Sequence, residues 1–136
     1  MGVKVGLIKD VFVGNALIAM YCKFGFVEDA DKVFVFMPRR NLVTWNSLIS
    51  GFANNGFSQK SIDLFMVFLV CEDSLIPDVA TLVTLLPVCG VEREVSRGKT
   101  VHSLAVKLVL YQDLMVQNAL MDMYLNCDVF PTFGDF

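Results

Sequence analysis

"NALIAMYCKFG" occupies residues 15–25, and "NALMDMYLNC" occupies residues 118–127. A chain of 136 residues therefore says nearly the same thing twice, 103 residues apart and each time behind an asparagine. Working outward, GVKVGLIKDVFVGNALIAMY (2–21) aligns without a gap on AVKLVLYQDLMVQNALMDMY (105–124), with ten of twenty positions identical. A middle copy, NLVTWNSLISGFANNGF (41–57), matches DVFVGNALIAMYCKFGF (10–26) at Asn46, Leu48, Ile49, Gly56 and Phe57. A weaker copy is DVATLVTLLPVCG (78–90). The copies share an anchor at Asp10, Asn41, Asp78 and Asp113, with spacings of 31, 37 and 35 residues. Self-similarity at such a period marks a repeat architecture, in which each unit buries its apolar face against its neighbours.

With each anchor closing a unit, the repeats run 11–41, 42–78 and 79–113, preceded by the tail of another repeat (1–10). A partial repeat with an irregular tail follows (114–136). Units of about 35 residues fit a helix–turn–helix hairpin, so the fold class is all-α, a superhelix or solenoid of stacked hairpins. In the first unit Val13, Leu17, Met20, Tyr21 and Phe24 follow a three-to-four spacing and predict the buried stripe of a helix that Gly25 ends. A second helix carries Ala30, Val33, Phe34 and Met37 and stops at Pro38. The second unit repeats this with Leu48, Ile49 and Phe52, then Asn55-Gly56, then Ile62, Leu64, Phe65 and Phe68, then Pro77. In the third, Pro87 falls inside the first helix and predicts a kink or an early end, and Val101, Leu104, Ala105 and Leu108 lie on the second. Residues 2–9 read as the last turns of a second helix whose own repeat is missing. Pro131 and Gly134 break the tail, so the chain reads as cut at both ends of a longer array.

Composition narrows the function classes. Hydrophobic residues make up 55% and mean hydropathy is +0.59, ample for a core. The apolar runs LFMVFLVC (64–71) and VATLVTLLPVCGV (79–91) fall short of the roughly 18–20 residues of a bilayer span, so no membrane association is expected. The net charge of −3 is the wrong sign for holding nucleic acid by bulk charge. Cys22, Cys71, Cys89 and Cys127 show no C-x-x-C spacing, and His102 is the single histidine, so the pattern predicts buried free thiols and no metal or cofactor. Gly98-Lys99-Thr100 lacks the earlier glycine of a phosphate loop, since Arg93 stands there. Glu28, Asp29 and Asp31 read as an acidic helix start, Trp45 and Tyr21 as core, and His102 as a structural residue. No arrangement of groups supports an enzyme.

VFVGNALIAMYCKFGFVEDADKVFVFMPRRN (11–41), LVTWNSLISGFANNGFSQKSIDLF (42–65) and SRGKTVHSLAVK (96–107) resemble the short, standard and long repeats of the plant subclass of the pentatricopeptide repeat family. The resemblance spans residues 2 to about 126. It implies an α-solenoid that binds single-stranded RNA, one base per repeat, within organellar RNA processing or editing, in a mitochondrion or chloroplast and alongside other RNA-processing proteins. No transit-peptide pattern is visible in the chain. In the family the fifth and last residues of a repeat choose the base, and the second packs against it. Carried over, the readers are Asn15 with Asn41, Asn46 with Asp78, and Val83 with Asp113, and Asn118 in the fourth repeat. The packing residues are Phe12, Val43, Ala80 and Met115. The family's pairing rules make Asn/Asn a pyrimidine reader favouring cytosine and Asn/Asp a uracil reader, so a pyrimidine–U preference is implied. Val83 has no hydrogen-bonding side chain and should read little.

Asn carries a donor and an acceptor on one short arm, matching a pyrimidine edge, and an apolar neighbour offers a face for stacking. The same asparagines are also good helix caps, and that alternative stands beside base reading. Two further alternatives are a protein-binding helical scaffold and a degenerate fragment without a function of its own. The W-x-x-L-G-x-x-Y pattern of the tetratricopeptide scaffold is absent: Ile49 stands where its glycine belongs.

Overall fold

The computed structural model describes residues 8–129, and every regular element among them is helical. The chain divides into two compact units, Met1–Ile76 and Pro77–Phe136. The first holds α1 (Val11–Lys23), α2 (Val27–Phe36), α3 (Leu42–Asn54) and α4 (Ser58–Cys71). The second holds α5 (Val79–Val91), α6 (Val95–Lys107), a 3-10 turn (Leu110–Gln112) and α7 (Leu114–Asn126). In the first unit α1 packs on α2 and on α3, and α3 on α4; in the second, α5 packs on α6 and on α7.

The four anchors explain where α1, α3, α5 and α7 begin. Asp10, Asn41, Asp78 and Asp113 are their N-caps, each accepting from backbone N–H groups that the first turn leaves without partners. Asn41 with Thr44, and Asp78 with Thr81, form reciprocal capping boxes. The ends are as regular. Gly25 and Gly56 (both φ +84°), Arg93 (+53°) and Asp128 (+55°) adopt the left-handed conformation, each fifteen residues after its N-cap. The next residue returns an N–H to a carbonyl five positions back: Phe26 to Tyr21 (2.8 Å), Phe57 to Phe52 (2.8 Å), Glu94 to Cys89 (2.9 Å) and Val129 to Tyr124 (3.0 Å). These are Schellman ends, which satisfy terminal carbonyls and reverse the chain into the second helix. At Arg93 and Asp128 no glycine announces them, and the two side chains form an ion pair.

The first unit's core gathers Ala30, Val33, Phe34 and Met37 of the first hairpin with Trp45, Leu48, Ile49, Ile62, Phe65 and Phe68 of the second. Trp45 is wedged edge-on between Phe34 (4.8 Å) and Phe68 (5.3 Å), and its indole N–H donates to Glu72 Oε1 at 3.2 Å. Each such side chain contributes about 1.5–3 kcal/mol through burial. Ser61 is buried because its Oγ donates to the Ile49 carbonyl at 2.8 Å. In the second unit Leu82, Leu85, Leu86, Val101, Ala105, Leu120 and Met123 are buried.

Several expectations need correction. On α1 the buried face carries Gly14, Asn15, Ile18, Tyr21 and Cys22, whereas Val13, Met20 and Phe24 are exposed and Leu17 is half-buried. Apolar residues surround α1, so a three-to-four spacing fits more than one face. Close approach decides between them: a Cβ on Gly14 would lie 2.5 Å from Met37 Cε, so α1 presents its small residue there. Pro87 does not shorten α5, which runs thirteen residues like α1 and α3. Its ring is exposed, so the carbonyl it leaves without a helical donor lies on the open side. Cys71 is exposed rather than buried. Residues 8–10 carry no regular structure, while the rest of the expected leading helix tail, and Pro131 and Gly134, lie outside the described residues.

Candidate nucleic-acid interface

The candidate positions fall on the first turns of the capped helices. Phe12, Val43, Ala80 and Met115 each stand two residues after an N-cap, and all four are exposed, Phe12 at 76%. Three residues further on stand Asn15, Asn46, Val83 and Asn118.

In the first unit two candidate readers meet directly. Asn15 Nδ2 donates to Asn41 Oδ1 at 3.1 Å, across 26 residues of sequence. Asn41 Oδ1 also accepts from the Thr44 N–H (3.1 Å) and lies 3.0 Å from Thr44 Oγ1. Thr44 Oγ1 lies 2.5 Å from Asn15 Oδ1 and accepts from the Asn41 N–H at 3.0 Å. The threonine hydroxyl has one proton, so it serves one of the two amide oxygens at a time. Asn15 is 8% exposed and Thr44 fully buried, while Asn41 is half-buried. The outcome is a polar cluster in which the Asn41 side chain acts only as an acceptor. Asn46 is half-buried on the second turn of α3.

In the second unit Asp78 is exposed and takes the Thr81 N–H at 3.0 Å. Val83 is half-buried. Asp113 Oδ1 accepts from Met115 N (2.8 Å) and Val116 N (3.3 Å), and Asn118 is exposed. The capping alternative for the asparagines can now be judged. Asn15, Asn46 and Asn118 sit one turn inside their helices, and capping is done by Asp10, Asn41 and Asp113. Of the candidate residues only Asn41, Asp78 and Asp113 are caps. Thr44 and Thr81 went unnoticed in the sequence; their signal was a threonine three places after Asn41 and Asp78.

The remaining polar groups serve the fold. His102 is buried, with Nδ1 2.7 Å from the Tyr124 hydroxyl, tying α6 to α7. Gly98 lies within α6, where a Cβ would come 2.7 Å from Met123 Cε, so its role is close packing. Glu28 and Asp29 fill the first turn of α2. Burial raises the Cys22 thiol pKa, and raises that of Cys89 to about 12 with a smaller push from Cys127. Among the described residues no group of His, Cys, Asp or Glu is arranged to hold a metal, and no helix is long and apolar enough to cross a membrane.

Helical hairpins in sequence, capped and closed alike, define the helical-repeat class. The family described as PPR repeat matches residues 15–42 and 43–69. The chain is 55% identical over 127 residues to the pentatricopeptide repeat-containing protein At1g18485 of Arabidopsis thaliana, covering 92% of this chain and 13% of that protein. It is 38% identical over 125 residues to At3g09040, mitochondrial (92% and 12%), and 36% over 130 to At1g11290, chloroplastic (96% and 16%), of the same name and organism. The chain belongs to the pentatricopeptide repeat family. It spans less than a fifth of the length of these relatives. Members of the family are generally non-enzymatic, RNA-binding factors of organellar RNA processing.

Proposed function

We propose that this chain contributes base-reading repeats to a protein that binds single-stranded RNA in organellar RNA processing or editing, with a pyrimidine–U preference. The observation that supports it best is the Asn15–Asn41 hydrogen bond: the fifth and closing residues of one repeat share a polar cluster. Phe12 and Val43, exposed on the first turns of α1 and α3, offer apolar faces for a base. The two amide groups keep donor capacity. Asn15 keeps one amide proton, and the Asn41 amide nitrogen makes none of the bonds described above. Asn46 and Asp78 are the fifth and closing residues of the second repeat and by the family's pairing would read uracil, and Val83 with Asp113 contributes little to selectivity. The names of the relatives, mitochondrial and chloroplastic, support an organelle as the compartment.

Stacking and hydrogen bonding at ~1–3 kcal/mol per base give two reading repeats ~2–6 kcal/mol in total. Since ~4 kcal/mol corresponds to millimolar affinity, the isolated chain binds weakly and useful affinity comes from many repeats acting together. The test is a fluorescence-anisotropy titration of the full chain with short RNAs that carry or lack a pyrimidine–U pair. Asn46→Thr should shift preference toward a purine. Equal binding to all RNAs, unmoved by that substitution, would overturn base reading in favour of a protein-binding scaffold.

A further inference from the structure

The polar cluster of the first unit can be assigned outward from two backbone donors. The Thr44 N–H lies 3.1 Å from one Asn41 side-chain atom, and a backbone N–H only donates, so that atom is Oδ1. The Asn15 atom 3.1 Å from it is then the amide nitrogen, and the Asn15 oxygen is turned to Thr44 Oγ1 at 2.5 Å. The Asn41 N–H donates to the same hydroxyl at 3.0 Å, which leaves the hydroxyl proton for an amide oxygen. Its distance to Asn15 Oδ1 is the shorter one, 2.5 Å against 3.0 Å to Asn41 Oδ1. Asn15 is therefore held at both ends of its amide, at nitrogen by Asn41 and at oxygen by Thr44. Thr44 is fully buried, so a base cannot reach it. With both amide oxygens engaged, the pair has N–H left to offer an RNA: the second Asn15 amide proton and the Asn41 amide nitrogen.

The sequence repeats this association. Thr44 is the third residue of the repeat that follows Asn15, and Thr81 is the third residue of the repeat that follows Asn46. Where the fifth residue is Val83, which has no amide to hold, the third residue of the next repeat is Val116. Capping alone does not account for the threonines, because Asp113 caps α7 through Met115 N and Val116 N with no hydroxyl at that position. Resting on the base reading proposed above, we infer that Thr44 is a positioning residue for the reader of the repeat before its own. Its hydroxyl holds the Asn15 oxygen inward, so that Asn15 and Asn41 meet a base with donors only. Donors so placed fit a base edge of adjoining acceptors, as cytosine has at N3 and O2, whereas uracil sets its own N3–H between two carbonyls. The selectivity of one repeat then depends on a residue of the next, which no pairing of fifth and closing residues takes into account.

The test is NMR of the full, isotope-labelled chain, unmodified and as Thr44→Ser and Thr44→Val, read at the Asn15 side-chain amide. Serine keeps the hydroxyl and valine keeps the shape. In the free protein the Asn15 amide protons should exchange with water about tenfold faster in Thr44→Val, and within about threefold of the unmodified rate in Thr44→Ser. Titration with short RNAs that differ in one base, cytosine against uracil, covers the millimolar range. The unmodified chain and Thr44→Ser should favour cytosine, and Thr44→Val should lose about three- to tenfold of that ratio. A gain-of-selectivity pair keeps the inference testable if Thr44→Val does not fold. Val83→Asn combined with Val116→Thr should give the third repeat a base preference that Val83→Asn alone does not. An unchanged cytosine-to-uracil ratio in Thr44→Val, a Thr44→Ser chain as impaired as Thr44→Val, or no advantage from adding Val116→Thr would each overturn the inference while base reading stands. An unmodified chain indifferent to the base would overturn base reading, and this inference with it.

Discussion

Replacing Asn41 with alanine should cost far more than replacing Asp10, although both residues cap a helix. Asp10 holds Phe12 N and Val13 N in an exposed setting, so Asp10→Ala removes a cap, worth about 0.5–2 kcal/mol. Asn41→Ala removes a cap of the same worth and also deprives Asn15 Nδ2 of its acceptor. Asn15 is 8% exposed, so water replaces that acceptor poorly, and an unsatisfied buried amide costs about 1–3 kcal/mol. The expected excess of Asn41→Ala over Asp10→Ala is therefore about 1–3 kcal/mol. Asn41→Asp makes the sharper control. Asn41 Oδ1 accepts from Asn15 Nδ2 and the Thr44 N–H, and from the Thr44 hydroxyl when its proton turns that way, so a carboxylate serves as well and stability should stay within about 1 kcal/mol. The same change turns the proposed Asn/Asn reader into Asn/Asp and should move the first repeat toward uracil. Urea unfolding followed by the fluorescence of Trp45, the single tryptophan and buried in the same unit, reports the stabilities without interference from the other unit. Equal losses for Asn41→Ala and Asp10→Ala would refute the polar cluster. A destabilised Asn41→Asp would refute the acceptor-only role.

Gly56→Ala should destabilise by about 1 kcal/mol in urea unfolding: its φ of +84° disfavours a Cβ, while nothing within 4 Å obstructs one. Gly98→Ala should cost about 1–3 kcal/mol, read by thermal unfolding, because its Cβ enters space held by Met123 and the flexible methionine must move. Raising pH should destabilise the second unit. The Cys89 pKa is near 12 folded against about 9 unfolded, so the unfolded chain releases its proton first, and stability present below pH 9 is lost toward pH 12. Cys89→Ala should flatten that alkaline slope in urea midpoints measured between pH 8 and 11. Iodoacetamide should label exposed Cys71 in the native chain well before Cys22 or Cys89, as mass spectrometry of digests would reveal.

Helix class, hairpin spacing and second-helix cores were legible because Ala30, Val33 and Phe34, or Ile62, Phe65 and Phe68, recur at helical spacing while Glu28, Asp31 and Lys32, or Gln59, Lys60 and Asp63, mark the exposed side. The orientation of α1 was not. Val13, Met20 and Phe24 are as apolar as Ile18, and the deciding fact is a backbone approach at Gly14 and Gly51 that periodicity does not encode. Pro87 misled for a related reason: its cost depends on which side the freed carbonyl faces. The turns at Arg93 and Asp128 were hidden because a left-handed residue need not be glycine when the Schellman bonds fix it. The anchors were found by self-alignment, but their capping duty was missed. The interlock of Asn15 with Thr44 brings together residues 29 positions apart, beyond the reach of any local pattern.

That capping duty bears on how such repeats vary. The closing residue of each described repeat must start the next helix, and Asn41, Asp78 and Asp113 all do so through a side-chain oxygen. Good caps are short and carry an acceptor: Asn, Asp, Ser and Thr. The same property lets a side chain meet the edge of a base at short range. A repeat that changed its base by adopting Lys, Gln or Leu at this position would lose helix-start stability in the same step. Exchange among the four capping residues alters hydrogen-bonding character while keeping the helix intact. Where the fifth residue is tied to the cap, as Asn15 is to Asn41, a change at one position alters what the other needs, since each must leave the other satisfied. A double-mutant cycle of Asn15→Ser and Asn41→Ser, read by unfolding, should show a coupling of about 0.5–3 kcal/mol, and independent effects would show that the two positions are free to vary alone.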